Sequence, residues 1–263
     1  MGWRGRGWAI IAARMTEIAS VSLARPLDEF ARELGRSFEE FGFAIVRDHG
    51  IPAALIARAE EVSRAFFALP DAVKRHYKIP GQGGARGYTP FGSERAKDAR
   101  VHDLKEFWHI GRTLVRGDPL EAYMPANVWP AEAPAFRPTF EALYAAFEAS
   151  GLRILQAIAL HLGLARDFFV PTVEQGNSVL RLLHYPPLPP EAAGAVRAAA
   201  HEDINAITLL LGAEEGGLEL LDRDGRWLAV DSKPGEMVVN IGDMLEGLTN
   251  HRVPSTSHRV MTP

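Results

Sequence analysis

The chain has 263 residues, with 29 Lys and Arg against 33 Asp and Glu, and a formal net charge of −4 at pH 7. Hydrophobic residues make up 47% and charged residues 24%, which is typical of a globular protein with a sizeable core. This balance argues against a nucleic-acid partner, and no uninterrupted apolar run reaches the roughly 18 residues that span a membrane. Cysteine is absent, which excludes disulfides, thiolate metal sites and cysteine nucleophiles, and it fits the cytoplasmic location that we predict.

Residues 1–14 are predicted to be an N-terminal extension that is disordered or results from a misassigned translation start. The apolar stretch over 9–13 is shorter than the roughly 7 to 15 residues of a signal-peptide core. The Met15-Thr-Glu that follows reads as a natural start.

Residues 15–170 are predicted to form a helix-rich region. From 26 to 41 an apolar residue recurs at every third or fourth position, which is the spacing of one helix face. This stripe consists of Leu27, Phe30, Leu34, Phe38 and Phe41. The elements predicted after it are a short strand over 42–46, a helix from 52 to about 69, an irregular loop over 80–92 and a helix over 137–162.

Residues 171–263 are predicted to form a β-rich core. Short apolar runs follow one another at intervals of about ten residues, bounded by Gly, Pro, Asp or Asn, as in β-sandwiches and barrels. The runs cover 178–185, 207–211, 217–221, 227–230 and 237–241. The stretch Asp222-Arg-Asp-Gly225 between two of them is a hairpin signal. The fold class is therefore α+β.

A metal site in a chain without cysteine must use His, Asp and Glu. In an extended segment His201 and Asp203 point to the same face, so both can bind one ion. Either His251 or His258 can supply a third ligand from another strand. Two histidines and one carboxylate on one face leave open positions on ferrous iron. A His-x-Asp pair alone is common, so the case depends on its context.

Several motifs stand in a fixed order around these residues. In the back half they are His201-Glu-Asp-Ile-Asn-Ala-Ile-Thr-Leu-Leu-Leu211, Gly216-Gly-Leu-Glu-Leu220, Pro234-Gly-Glu-Met-Val-Val-Asn-Ile-Gly-Asp-Met244 and Ser255-Thr-Ser-His-Arg-Val260. In the front half they are Phe41-Gly-Phe43, Arg86-Gly-Tyr-Thr-Pro-Phe-Gly92 and Asp103-Leu-Lys-Glu-Phe-Trp108. The series spans about 19–263 and resembles the isopenicillin N synthase-like family of iron(II)- and 2-oxoglutarate-dependent dioxygenases.

The resemblance implies a double-stranded β-helix, or jelly-roll, core and a defined set of site residues. By it, His201, Asp203 and His258 are the iron ligands and the catalytic centre, while His251 is a solvated turn residue. Tyr185 matches the tyrosine that binds the distal carboxylate of 2-oxoglutarate, and Arg181, on the same face of the strand, is a second candidate. The implied cofactors are Fe(II), 2-oxoglutarate as co-substrate and O2, and the partner is a small-molecule substrate.

The sequence departs from this family at its end. The family's Arg-x-Ser clamp for the distal carboxylate lies beyond the distal histidine, and no such pair follows His258 before Pro263. We therefore expect the last strand or strands of the core to be missing from this sequence. We also expect co-substrate binding to be weakened, because a buried bidentate guanidinium contact is lost.

Three functions remain open at this point. The first is a dioxygenase that hydroxylates, desaturates or cyclises a small organic substrate and releases succinate and CO2. The second is a pseudo-enzyme that binds a ligand on a jelly-roll scaffold, and the third is an oxidase of the same family that uses no 2-oxo acid. The sequence leaves the substrate and the oligomeric state open.

Overall fold

A computed structural model describes residues 17–93, 104–187, 196–212 and 216–262. The predicted extension over 1–14 lies outside these residues. The helices are α1 (Leu27–Phe41), α2 (Ala53–Phe67), α3 (Asp71–Arg75), α4 (Phe136–His161), α5 (Val170–Val173) and α6 (Asp243–Leu248), with a 3-10 helix at Pro119–Ala122. The strands are β1 (Ser20–Ser22), β2 (Phe43–Arg47), β3 (Gly87–Thr89), β4 (Glu106–Gly111), β5 (Val179–His184), β6 (Val196–His201), β7 (Ile207–Leu210), β8 (Leu218–Leu221), β9 (Trp227–Ala229), β10 (Met237–Ile241) and β11 (His258–Met261).

The described strands form three sheets. Two four-stranded sheets, in the orders β1-β2-β10-β7 and β6-β11-β8-β9, make the jelly-roll core. Side chains of β2, β8 and β10, including Ile45, Leu220 and Val238, form a buried cluster between them. The third sheet has the order β3-β4-β5. The fold is therefore the predicted α+β class with a double-stranded β-helix.

The first helix follows its apolar stripe. Phe30, Leu34 and Phe38 of α1 are fully buried, because the three-and-four spacing puts them on one face. The helix ends at Gly42, whose φ of 67° is the left-handed conformation that glycine adopts without strain. The chain then turns directly into β2, so the helical region supplies a strand to the core sheet.

The long helix α4 packs against α1 and α2. Among the described residues it is the one helix whose length and composition would suffice to cross a membrane. In this fold Phe140 and Ile154 of α4 are fully buried in the main hydrophobic cluster. The helix is therefore part of the hydrophobic core.

Two parts of the front half differ from the sequence prediction. The predicted loop over 80–92 contains β3, and β4 lies in a stretch read as mostly helical. All six residues of β4 are buried, so the strand lacks the alternation of apolar and polar residues that a half-exposed strand shows. Pairing with β4 explains the strand conformation of β3, whose three residues carry no periodicity of their own.

Candidate metal centre

Two histidines meet across neighbouring strands of one sheet. His201 is the last residue of β6 and His258 the first of β11, and their Cα atoms are direct partners in the antiparallel pairing. Their ring centroids are 4.4 Å apart. Phe43 of β2 packs edge-on against His258, with ring centroids 5.5 Å apart. Strand pairing thus brings together two residues that are distant in the sequence.

Asp203, two residues beyond β6, completes the cluster. Its Oδ1 lies 3.8 Å from His201 Nε2 and 4.0 Å from His258 Nε2, and the ligand atoms of the three residues all lie within 4.8 Å of one another. Atoms about 2.1 Å from a shared ion can be at most about 4.2 Å apart, so both Asp203 separations allow one ion. This donor set suits ferrous iron.

Both imidazoles are oriented by backbone carbonyls. His201 Nδ1 lies 2.7 Å from Ala199 O, and His258 Nδ1 lies 3.1 Å from Thr256 O. Because a carbonyl only accepts, each Nδ1 carries the proton and donates it. Each Nε2 then presents a lone pair toward Asp203, which is the tautomer that a metal ligand needs.

The second oxygen of Asp203 is bound by the opposite sheet. Thr208 Oγ1 donates to Asp203 Oδ2 at 2.6 Å, and Asn240 Nδ2 donates to the same oxygen at 2.8 Å. Thr208 of β7 and Asn240 of β10 are cross-strand partners. The centre therefore lies between the two core sheets, one supplying the imidazoles and the other orienting the carboxylate.

The protonation states favour a divalent cation. Burial acts to raise the pKa of Asp203, but hydrogen bonds from Asn240 and Thr208, together with the two imidazoles, hold it below its usual value. Burial, followed by the neighbouring His201, lowers the pKa of His258. A carboxylate beside neutral imidazole is the state that binds metal without first releasing protons.

A close backbone approach fixes the loop that carries Asp203. The amide of Asp243, the first residue of α6, donates to Asp203 O at 2.7 Å. A Cβ on the preceding Gly242 would lie 2.3 Å from Asn205 O and 2.7 Å from Asp203 O. Only glycine fits here, so the start of α6 sets the position of the ligand loop.

The two predicted co-substrate residues lie outside this cluster. Arg181 is an exposed residue of β5, where its Nε donates to His109 Nε2 at 2.6 Å and its guanidinium stacks on Phe107 at 4.6 Å. Tyr185 is half-buried just beyond β5, and the guanidinium of Arg197 lies 5.7 Å from its ring centroid.

The remaining motif residues have structural surroundings. The side chain of His251 is 75% exposed and lies 3.3 Å from Glu246, away from the three-residue cluster. Arg259 donates from Nε to Glu219 at 2.7 Å and stacks on Trp227. His258 is therefore the candidate that geometry joins to His201 and Asp203.

Sequence reasoning missed the function of Thr208 and of a second buried polar group. The sequence marks Asn240 as a polar residue in an apolar run, but Thr208 carries no signal apart from its position on a strand. The second group surrounds Glu106, a carboxylate that is 4% exposed within β4. The sequence feature that could have revealed this group is a charged residue directly before the apolar pair Phe107-Trp108.

Comparisons with known proteins agree with this geometry. Residues 17–132 match the family model of the non-haem dioxygenase in morphine synthesis N-terminal region. Residues 176–263 match the 2OG-Fe(II) oxygenase superfamily. The 2-oxoglutarate-Fe(II) type oxidoreductase ppzD of Metarhizium rileyi is 33% identical over 247 residues, which cover 89% of this chain and 70% of the relative.

Two solved structures show the same architecture. The crystal structure described as a putative 2OG-Fe(II) oxygenase family protein of Caulobacter crescentus is 56% identical, with a TM-score of 0.86, over 94% of this chain and 80% of that one. A full-length Neurospora crassa protein, solved in complex with alpha-KG and thymine, is 28% identical, with a TM-score of 0.83, over 94% and 80% of the two chains. These findings support an enzyme that uses Fe(II) and 2-oxoglutarate, and not the binding-module or oxidase alternatives. The chain therefore belongs to the iron(II)- and 2-oxoglutarate-dependent dioxygenases.

Proposed function

We propose that His201, Asp203 and His258 bind one ferrous ion through Nε2, Oδ1 and Nε2, and that a small organic substrate is oxidised beside it. The observation that carries this assignment is the position of Asp203 Oδ1, 3.8 Å and 4.0 Å from the two Nε2 atoms, with each of the three side chains oriented by its own hydrogen bond. Iron with 2-oxoglutarate and O2 supplies the oxidising chemistry, with succinate and CO2 as products. The protein's part is to hold three ligands on one face and leave the opposite positions open.

Tyr185 and Arg181 are the proposed contacts of the co-substrate. A phenol hydroxyl and a guanidinium both donate hydrogen bonds to a carboxylate. Phe107 and His109 fix the orientation of the Arg181 guanidinium, and the contact with Arg197 ties Tyr185 to β6, the strand that ends in His201. Tyr185 is therefore linked to a strand of the candidate site, while Arg181 is held by β4 of the third sheet.

The finer assignments are part of the same proposal. The isopenicillin N synthase-like subclass rests on the motifs around His201 and His258. A small substrate rather than a nucleic acid suits the net charge of −4. The buried face of α4 suits a helix of the protein core rather than one that spans a membrane. The division into 1–14, 15–170 and 171–263 and the cytoplasmic location stay predictions.

The test is ferrous-dependent conversion of 2-oxoglutarate to succinate, measured without added substrate as the uncoupled reaction. His258→Ala removes one of three ligands, so succinate release falls to the metal-free background. His251→Ala is the matched control, since that histidine is exposed and outside the cluster, and it keeps the wild-type rate. Full activity in His258→Ala, or loss of activity in His251→Ala alone, would overturn the ligand assignment.

A further inference from the structure

A buried polar cluster lies where α2, α3, β3, β4 and β5 meet. Its centre is Glu106, and we call Lys74, Tyr88, Glu106 and His184 the Glu106 cluster. Lys74 Nζ donates to Glu106 Oε1 at 2.9 Å and to Oε2 at 2.7 Å, and also to Phe67 O at 3.1 Å. His184 Nδ1 lies 2.7 Å from Oε1, and the Tyr88 hydroxyl donates to Oε2.

The charges of this cluster are fixed by its surroundings. The side chains of Lys74 and Glu106 are 8% and 5% exposed. Burial acts to raise the pKa of Glu106, but hydrogen bonds from His184, Lys74 and Tyr88, with the charge of Lys74, lower it to about 2. Glu106 is therefore an acceptor at any working pH, and the His184 Nδ1 beside it must be a donor.

The cluster ends one residue before Tyr185. His184 is the last residue of β5, and its ring stacks on Phe67, with centroids 5.0 Å apart. Beyond it, Arg197 of β6 lies over the Tyr185 ring and donates from Nη1 to Pro186 O at 3.0 Å. The segment around Tyr185 is thus held on one side by the Glu106 cluster and on the other by β6.

A contribution to stability does not by itself explain why Lys74 and Glu106 are buried as a pair. A buried ion pair adds little net stability over apolar residues of the same volume, because desolvation offsets the attraction. Its clear physical effect is geometric: a carboxylate bonded from three other elements fixes the end of β5. Sites that bind charged ligands gain affinity when their donors are held in place beforehand.

We propose that His184, oriented by Glu106, is a positioning residue that holds Tyr185 ready for the distal carboxylate of the co-substrate. This inference rests on the proposed function, in which Tyr185 contacts that carboxylate. The ring of His184 is engaged by Phe67 and by Glu106, so the role proposed for it is to act through Tyr185. Removing its bond to Glu106 leaves Tyr185 present and lets the end of β5 relax.

The test is calorimetric titration of 2-oxoglutarate into the full chain loaded with Zn(II), which occupies a His and carboxylate site without redox chemistry. His184→Leu removes the donor and leaves the Lys74–Glu106 pair intact. We expect it to weaken 2-oxoglutarate binding about tenfold, the lower end of what lost supporting contacts cost at such sites. His184→Asn keeps an amide donor near the position of Nδ1 and restores most of the affinity. Zn(II) affinity and the far-ultraviolet spectrum stay unchanged in both.

Tyr185→Phe and the double variant separate this role from a general structural one. In the Tyr185→Phe background, His184→Leu adds no further loss if it acts through Tyr185. An additive loss there, or wild-type binding in His184→Leu, overturns the positioning role while the co-substrate role of Tyr185 stands. Unchanged binding in Tyr185→Phe overturns both roles. An equal loss in His184→Asn and His184→Leu also overturns the positioning role, since the retained donor then has no effect.

Discussion

Asp203 uses its two carboxylate oxygens differently. Oδ1 faces the two imidazoles, while Oδ2 accepts hydrogen bonds from Thr208 and Asn240. An oxygen already engaged by two donors is a poorer metal ligand, so this pattern favours binding of iron through Oδ1 alone. One oxygen from the carboxylate keeps the other positions on the ion open for co-substrate and O2.

Thr208→Val tests the contribution of this hydrogen bond. The variant keeps the shape of the side chain and removes the donor to Oδ2, so the carboxylate is held by Asn240 alone. We expect metal affinity to fall roughly 10- to 100-fold, as is usual when a ligand loses its supporting partner. Metal titration followed by competition with a chelator measures it. Thr113→Val, whose hydroxyl bonds to Glu141 on the surface, is the control and should bind metal normally.

The candidate ligand residues were predictable, and the residues that hydrogen-bond to them were not. His201, Asp203 and His258 were predicted from the spacing of His-x-Asp and from the motif around His258, both of which are local in the chain. The bond from Thr208 to Asp203 also spans a short stretch, but its direction depends on how β7 pairs with β10. Sequence periodicity carries no information on that pairing.

At the level of elements, α6 and the Asp203 loop act as one unit through Gly242. Gly242→Ala places a Cβ within 2.3 Å of Asn205 O and 2.7 Å of Asp203 O. Because the clashing atoms are backbone, the loop must move, and we expect a loss of about 1–3 kcal/mol in the free energy of unfolding together with weaker metal binding. Urea unfolding and metal titration measure the two effects.

Gly247→Ala is the matched control in the same helix. Nothing lies within 4 Å of a Cβ at Gly247, and alanine is the better helix former. This variant should therefore be at least as stable as the wild type and bind metal equally well. Equal behaviour of the two variants would show that the close approach at Gly242 has no consequence for the site.

Helices were easier to predict than strands, because a helix with one buried face shows a periodic apolar pattern and a strand that is buried on both faces does not. The apolar stripe of α1 and the ends of α4 agree with prediction to within about a residue. β6, which carries His201, was not predicted, because Val196-Arg-Ala-Ala-Ala-His201 lacks alternation and has Val196 as its single β-branched residue. Its strand conformation comes from pairing with β11, with shifts in register along the way.

At the scale of the whole molecule, the Glu106 cluster joins α2 and α3 to the β3-β4-β5 sheet, whose last strand ends directly before Tyr185. The pKa of Glu106 is lowered to about 2, so its contribution to stability is complete above the unfolded value near 4.5 and is lost as the pH falls toward 2. A shift of this size corresponds to roughly 3 kcal/mol.

Glu106→Gln tests this contribution by its pH dependence. At pH 7 the variant leaves Lys74 buried without its carboxylate, and we expect a loss of about 3–5 kcal/mol in the free energy of unfolding. The gap to the wild type should shrink as the pH is lowered from 5 to 3, because the glutamate of the unfolded wild-type chain takes up a proton in this range while native Glu106 stays ionised, which lowers the stability of the wild type. Urea unfolding at each pH measures it. Glu61→Gln, at a pair whose glutamate is 69% exposed, should cost less than about 1 kcal/mol at every pH.

The helix-rich and the β-rich part of the sequence both contribute strands to the same sheets. β2 comes from the helix-rich part and pairs with β10, while β5 from the back half pairs with β4. Local periodicity predicts the conformation of segments with a clear apolar pattern, but the order of strands in a sheet depends on contacts between distant segments. The strands β5, β7, β8, β9 and β10 were therefore predictable, whereas β6 and β11 and the pairing of the sheets were not.

The direct pairing of His201 with His258 makes a bound ion a cross-link as well as a reactive centre. It would tie the final strand to a strand far earlier in the chain, closing a long loop much as a disulfide does, in a protein that has no cysteine. Iron at a hundred times its dissociation constant should add about 2.7 kcal/mol to the free energy of unfolding, seen as a higher melting temperature. Amide hydrogen exchange should slow most at β6 and β11. Iron depletion inside a cell would then shorten the lifetime of the protein as well as stop catalysis.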